Sequence, residues 1–180
     1  NGVKKTWDLI KSLNSVTIII YNISRDVLVC VKQFRPGVYV SSIPFCDRMD
    51  IIDLKKYPPS LGITLEFCSG IVDKQKSLEE IARDEVFEEC GYDIKLEDLE
   101  RVQSFRYAVG IAGDSMTLFY TEVTDAMKIG KGGGLEEEGE LIDVVELKME
   151  DAVEYLKKKD VCVPPEFLYG LLWFFANKKK

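Results

Sequence analysis

The chain has 180 residues, 46% of them hydrophobic, which suits one globular domain with a sizeable core. Its 31 Asp and Glu against 24 Lys and Arg leave a net charge of −7, which argues against non-specific nucleic-acid binding and means that an anionic ligand needs a local basic group or a metal. The sequence contains no His, which excludes Ser-His-Asp and Cys-His catalysis in cis and leaves acid–base work to carboxylates, Lys, Tyr or metal-activated water.

Val16-Thr-Ile-Ile-Ile-Tyr-Asn-Ile23 reads as a buried strand rich in β-branched residues, Ser24-Arg-Asp26 as a turn, and Val27–Phe34 as the partner strand. Residues 36–60 hold Pro36, Gly37, Pro44, Pro58 and Pro59 and read as a long loop with an edge strand at most. Ile63–Phe67 is a short strand leading into Gly70. Ser77 is an N-cap with Glu80 at the capping-box position, so the pattern predicts a helix over Leu78–Cys90 that stops at Gly91. Val102–Val109 and Met116–Val123 read as two further strands, 128–139 as a Gly-rich, acidic, mobile loop, and Leu141–Leu147 as a strand. Glu150–Lys159 is an amphipathic helix, and Pro165–Ala176 is a final helix apolar enough to pack on a sheet. Mixed strands with a few helices indicate an α+β protein or α/β sandwich.

No run of about 18 apolar residues is present to span a membrane, and no secretory leader is read. The five cysteines, Cys30, Cys46, Cys68, Cys90 and Cys162, are scattered without a Cys-x-x-Cys pair. They argue against a disulfide framework or zinc site and favour a reducing, cytoplasmic location.

The chemistry concentrates in Gly70–Tyr92. Glu85, Glu88 and Glu89 fall at helical i, i+3 and i+4 spacing and so share one face. A solvated acidic face is the ordinary reading of such a run; a site for a hard divalent cation such as Mg²⁺ is the functional one. Gly132-Gly-Gly134 lacks the spacing of a phosphate-binding loop and reads as a flexible segment. The acids that follow it, Glu136, Glu137, Glu138 and Glu140, form either a generic acidic loop or a source of a general base. Arg35, at the end of an apolar strand, is either a surface ion pair or a planar fork for a diphosphate. Trp7 is either an interface or core aromatic or a base-stacking ring, and Glu66 either contacts substrate or pairs with a Lys.

Gly70, Glu85, Val86, Glu88, Glu89, Gly91 and Tyr92 stand in register with the box of the Nudix family, which the chain resembles. Lys76 and Asp84 depart from it, standing where the pattern has Glu and Arg; Arg83 lies one residue, about 100° of helix, away from the Arg position. Further segments, Lys5-Thr-Trp-Asp8, Lys32-Gln-Phe-Arg-Pro36, Phe119–Asp125 and Gly132–Ile142, resemble family members that act on nucleotide sugars and on ADP-ribose. The resemblance covers nearly the whole chain as one domain, 1–180, with the box at 70–92. It implies the α/β/α sandwich with a mixed β-sheet, and a homodimer whose N-terminal segments, 1–14 here, cross between subunits and contact the base.

It also implies hydrolysis of a nucleotide-sugar diphosphate that depends on Mg²⁺, with Mn²⁺ as an alternative. UDP-glucose cleaved to UMP and glucose 1-phosphate is the first reading, ADP-ribose the second, and an impaired binding module with this fold the third. Carried onto this sequence, Glu85, Glu88, Glu89 and the Ser69 carbonyl are the metal ligands. Glu138 or Glu140, with Glu89, are the catalytic acids, and Arg35, Trp7 and Glu66 bind substrate.

Overall fold

Side-chain alternation in one strand sets up both faces of the structure. β1 (Ser15–Asn22) directs Val16, Ile18 and Ile20 into one apolar cluster and Ile19 into another. The computed structural model describes residues 2–49, 51–135, 137 and 139–179. In it β1 pairs parallel with β6 (Ser115–Val123) along its whole length and antiparallel with β2 (Val27–Phe34) only at its end, Ile20–Asn22 against Val27–Val29. Asn22 Oδ1 closes that hairpin by accepting the Ser24 N–H at 2.9 Å.

Beyond this short ladder β1 and β2 part, and a single run of chain occupies both freed edges. β3 (Ile63–Glu66) pairs with β2, and β4 (Cys68–Ile71) pairs with β1. Phe67, buried between them, is the pivot. β7 (Ile142–Lys148) lies on the other side of β2, and β5 (Glu100–Arg106) closes the far edge against β6.

α1 (Pro36–Ser41) is a short surface helix. α2 (Leu78–Cys90) packs Ile81, Ala82, Val86 and Cys90 on the first face, while α3 (Met149–Lys157) and α4 (Pro165–Asn177) cover the second with Ala152, Phe167, Leu171 and Phe174. The result is the expected α+β, α/β/α sandwich with a mixed sheet.

Three local expectations are revised. Residues 36–60 contain α1 rather than only loop. Pro36 fixes φ at the first helical position, and Tyr39 is buried against Phe34, its hydroxyl donating to the Tyr57 carbonyl at 2.7 Å. Tertiary burial thus overrides a Pro/Gly-rich local signal. The strand expected to reach Val109 stops at Arg106, because the Tyr107 N–H bonds to Asp114 O and the chain turns through Ala108 at φ 44°. Gly70, read as lying beyond a strand, sits inside β4.

Phe174 is fully buried, its ring 5.1 Å from that of Tyr21 and remote from the acidic face of α2. Phe174→Ala should cost about 3–5 kcal/mol of stability. A urea midpoint lowered at unchanged m-value is the expected result, and an unchanged midpoint would refute this assignment of the core.

Candidate active site

The register of the acids is set by the ends of α2. Ser77 Oγ accepts the Glu80 N–H at 3.1 Å and the Glu80 carboxylate accepts the Ser77 N–H at 2.8 Å, a reciprocal capping box. Gly91 ends the helix at φ 76°, a left-handed conformation that glycine adopts without penalty. Between these fixed ends the helix runs against β4. Glu89 is buried at 3% exposure, and its Oε2 accepts the Ser69 N–H at 3.0 Å. Gly70 underlies Glu85 so closely that a methyl group on its Cα would overlap the Glu85 carboxyl. The glycine is therefore a requirement of contact.

These carboxyls share one electrostatic neighbourhood. Burial, followed by the charges of Glu89, Glu88 and Glu140, pushes Glu85 up to about 8, with Lys74 opposing. Burial also pushes Glu89 up to about 7; hydrogen bonds from Cys68 and the Ser69 N–H oppose this, Glu140 adds to it and Arg35 subtracts from it. Of the residues singled out in the sequence, Glu85, Glu88 and Glu89 on α2 and Glu140 on its loop thus bear on one another, and Arg35, just past the end of β2, bears on Glu89 and Glu140.

Glu140 reaches this neighbourhood through the glycine-rich segment. The N–H groups of Gly133 and Gly134 bond to the carbonyls of Glu89 (2.8 Å) and Glu88 (3.2 Å), and those of Ile129 and Gly130 bond to Gly91 O. The loop thereby satisfies carbonyls that the end of α2 leaves unpaired. The glycine run, expected to be mobile, is tied down at these points. Glu140 Oε2 then accepts the Leu135 N–H at 3.0 Å. Glu136 and Glu138 lie outside the described residues, and Glu137 is exposed.

Arg35 forms a two-point fork with Glu66: Nε to Oε1 at 2.9 Å and a terminal nitrogen to Oε2 at 2.7 Å. Thr64 Oγ1 donates to the same carboxylate at 2.5 Å. Burial raises the Glu66 carboxyl, but the Arg35 and Thr64 hydrogen bonds and the Arg35 charge outweigh it and hold the group below its ordinary value. The partner of Glu66 is therefore Arg35, and not the Lys that the sequence had offered.

Tyr107 and Glu166 lie within electrostatic reach of this pair. Glu166 is 8% exposed, and its Oε2 has no hydrogen-bond partner among the described residues. Neither residue was singled out from sequence, since each reaches Arg35 only through tertiary packing. Trp7 is over half exposed; its Nε1 donates to Gly110 O at 2.8 Å and Lys5 lies over its ring at 4.0 Å.

No protein-family model matches the chain. Uridine diphosphate glucose pyrophosphatase NUDT14 of Bos taurus is 43% identical over 187 aligned positions, covering 98% of this chain and 84% of the bovine protein. The chain belongs to the Nudix family. The Mus musculus NUDT14 is 42% identical over the same coverage, and a GDP-mannose pyrophosphatase of Enterobacter sp. (strain 638) is 28% identical over 82% of this chain and 66% of its own. The solved structure of an ADP compounds hydrolase superposes with a TM-score of 0.63 at 16% identity, covering 93% of this chain and 75% of that one, and so shares the Nudix fold.

The carboxylates of Glu85 and Glu89 are the oxygen donors that suit a hard divalent cation, and the raised proton affinity of both is what a cation would relieve. Among the described residues no three acidic or cysteine side chains are gathered closely enough to form a ready-made cage.

The raised carboxyls fix the sign of a pH effect. Folded Glu85 and Glu89 keep protons to about 8 and about 7, whereas the unfolded chain releases them near 4.5. Across that window the folded state binds more protons, so stability falls as pH rises. The Tm of metal-free protein should fall between about pH 5 and about pH 8, and Glu89→Gln should flatten the slope. An equal slope in both proteins would show that Glu89 ionises normally.

Proposed function

We propose that this chain hydrolyses the diphosphate bond of nucleoside diphosphate sugars, with UDP-glucose cleaved to UMP and glucose 1-phosphate as its preferred reaction and Mg²⁺ or Mn²⁺ as its cofactor. The observation that carries the reading is the seating of two α2 acids on β4, Glu85 over the bare Cα of Gly70 and Glu89 on the Ser69 N–H. The names of the bovine and murine relatives support the uridine sugar, and that of the GDP-mannose pyrophosphatase supports the wider substrate class.

Glu85, Glu88, Glu89 and the Ser69 carbonyl would hold the cation, which when bound neutralises the diphosphate and activates the attacking water. The chain's own residues do the rest. The fork to Glu66 uses two of the five guanidinium N–H donors of Arg35. The others meet oxygens of the diphosphate, and Glu66 keeps the guanidinium plane from turning. Glu140, with one oxygen bonded to the Leu135 N–H, takes the proton from water with the other. As the water oxygen bonds to phosphorus, the bond from that phosphorus to the bridging oxygen breaks and two phosphate monoesters leave.

Glu138 stands beside Glu140 in sequence as the alternative base. The exposed ring of Trp7 offers a stacking surface for the base. Val3, Leu9 and Ile10 of the same segment are exposed apolar side chains, which supports a homodimer formed through residues 1–14. Five free thiols support a cytoplasmic location. Among the described residues no helix is long and apolar enough to cross a membrane.

UDP-glucose hydrolysis with and without Mg²⁺ tests the reading, with ADP-ribose and GDP-mannose in parallel and products identified. Glu140→Gln should lower kcat by about 10²–10⁴-fold with the fold intact. Glu89→Gln should lower it by at least about 100-fold and weaken metal binding. Turnover in the presence of excess chelator would overturn the metal assignment. Cleavage of ADP-ribose alone would move the substrate class.

A further inference from the structure

The chain departs from the Nudix pattern at two positions, and the structure joins those positions to each other. Lys76 Nζ lies 2.5 Å from Asp84 Oδ2. Arg83 forks onto the other oxygen, with Nε at 3.1 Å and a terminal nitrogen at 2.7 Å from Oδ1. Where the pattern places an anion at 76 and a cation at 84, this chain places a cation at 76 and an anion at 84.

We infer that Lys76 and Asp84 are one coupled charge exchange, and that they act as a positioning pair for the carboxylates of α2. The inference rests on the Nudix reading of the site. Asp84 immediately precedes Glu85, so whatever holds Asp84 restrains the backbone that carries Glu85. Lys76 immediately precedes the Ser77 cap, at the end of the segment that begins with Gly70 under the Glu85 carboxyl. That segment is therefore clamped twice to the same helical turn, at Gly70 by contact with Glu85 and at Lys76 by charge on Asp84.

The Asp84 side chain is 18% exposed and that of Lys76 44%, so the acidic end of the pair is shielded from solvent while the lysine end stays partly open to it. The local charge balance is also kept. Lys76, Arg83 and Asp84 together bear one net positive charge, as an anion at 76 with cations at 83 and 84 would. A single reversal breaks this arrangement. Lys76→Glu sets two acids together beside the carboxylate cluster, and Asp84→Arg sets three cations together.

The test is a four-protein cycle: unmodified chain, Lys76→Glu, Asp84→Arg and the double variant. Three quantities are read from each: Mn²⁺ affinity without substrate by paramagnetic resonance, kcat and KM for UDP-glucose with Mg²⁺, and Tm. Each single variant should bind Mn²⁺ about 10-fold more weakly and lose about 10-fold in kcat, with KM for UDP-glucose little changed, the size expected of residues that orient metal ligands. The double variant should return to within about threefold of the unmodified protein, a coupling that two independent sites do not show. A double variant no better than its worse parent, or single variants indistinguishable from the unmodified chain, overturns the inference.

If a reversal prevents folding, a folded and active double variant still establishes the coupling, and the milder cycle of Lys76→Gln with Asp84→Asn replaces it where both fail. Mn²⁺ affinity decides the pair even if the chain hydrolyses no nucleotide sugar, so failure of the functional reading is recognised separately.

Discussion

Carboxylates that repel one another are held together at this site by the backbone of β4. The Ser69 N–H binds the Glu89 carboxyl, and the bare Cα of Gly70 leaves room for that of Glu85. Without that strand behind α2, three acids on one helix face would splay into solvent, where repulsion between them is weak. Pressed against it, Glu85 and Glu89 lose water and their proton affinity rises, which a nearby positive charge would relieve. The position of β4 follows in turn from the parting of β1 and β2 after their short shared ladder.

The same run of chain links the two halves of the site. Residues 63–71 carry Glu66 on β3, the pivot Phe67, then Ser69 and Gly70 on β4. Glu66 fixes the guanidinium of Arg35; Ser69 and Gly70 fix the acids of α2. A cationic fork and an anionic cluster are thereby mounted on one short ribbon whose pivot is locked in the core by Phe167, its ring 4.6 Å away. In the proposed reaction the diphosphate would meet both, and a common support keeps their spacing from drifting. The loop bearing Glu140 is registered to the same helix, through the carbonyls at its end.

Lys76 and Asp84 show how a departure from a family pattern can mislead when positions are read one at a time. Taken singly, each replaces a charge by its opposite. Taken together, they are an ion pair with the polarity reversed. What such a clamp requires is attraction between loop and helix, and attraction does not depend on which side bears the positive charge.

The sequence by itself determined what local forces decide. The capping box at Ser77 and Glu80, the stop at Gly91 and the common face of Glu85, Glu88 and Glu89 depend on residues within a turn or two of one another, so spacing alone reveals them. The buried strands and the two apolar helices were legible for the same reason, from periodicity. Tertiary structure alone decided the helix at Pro36–Ser41, because its Tyr39 is buried by contacts that no local pattern records. It decided that Glu66, 31 residues from Arg35, is the partner of that arginine, because the pairing depends on strand register across β2 and β3. It also decided that Lys76 meets Asp84, and that Glu166 comes within reach of Arg35. Hydrogen bonds and charges act over a few ångströms of space, and only the folded chain fixes which distant residues fall inside that range.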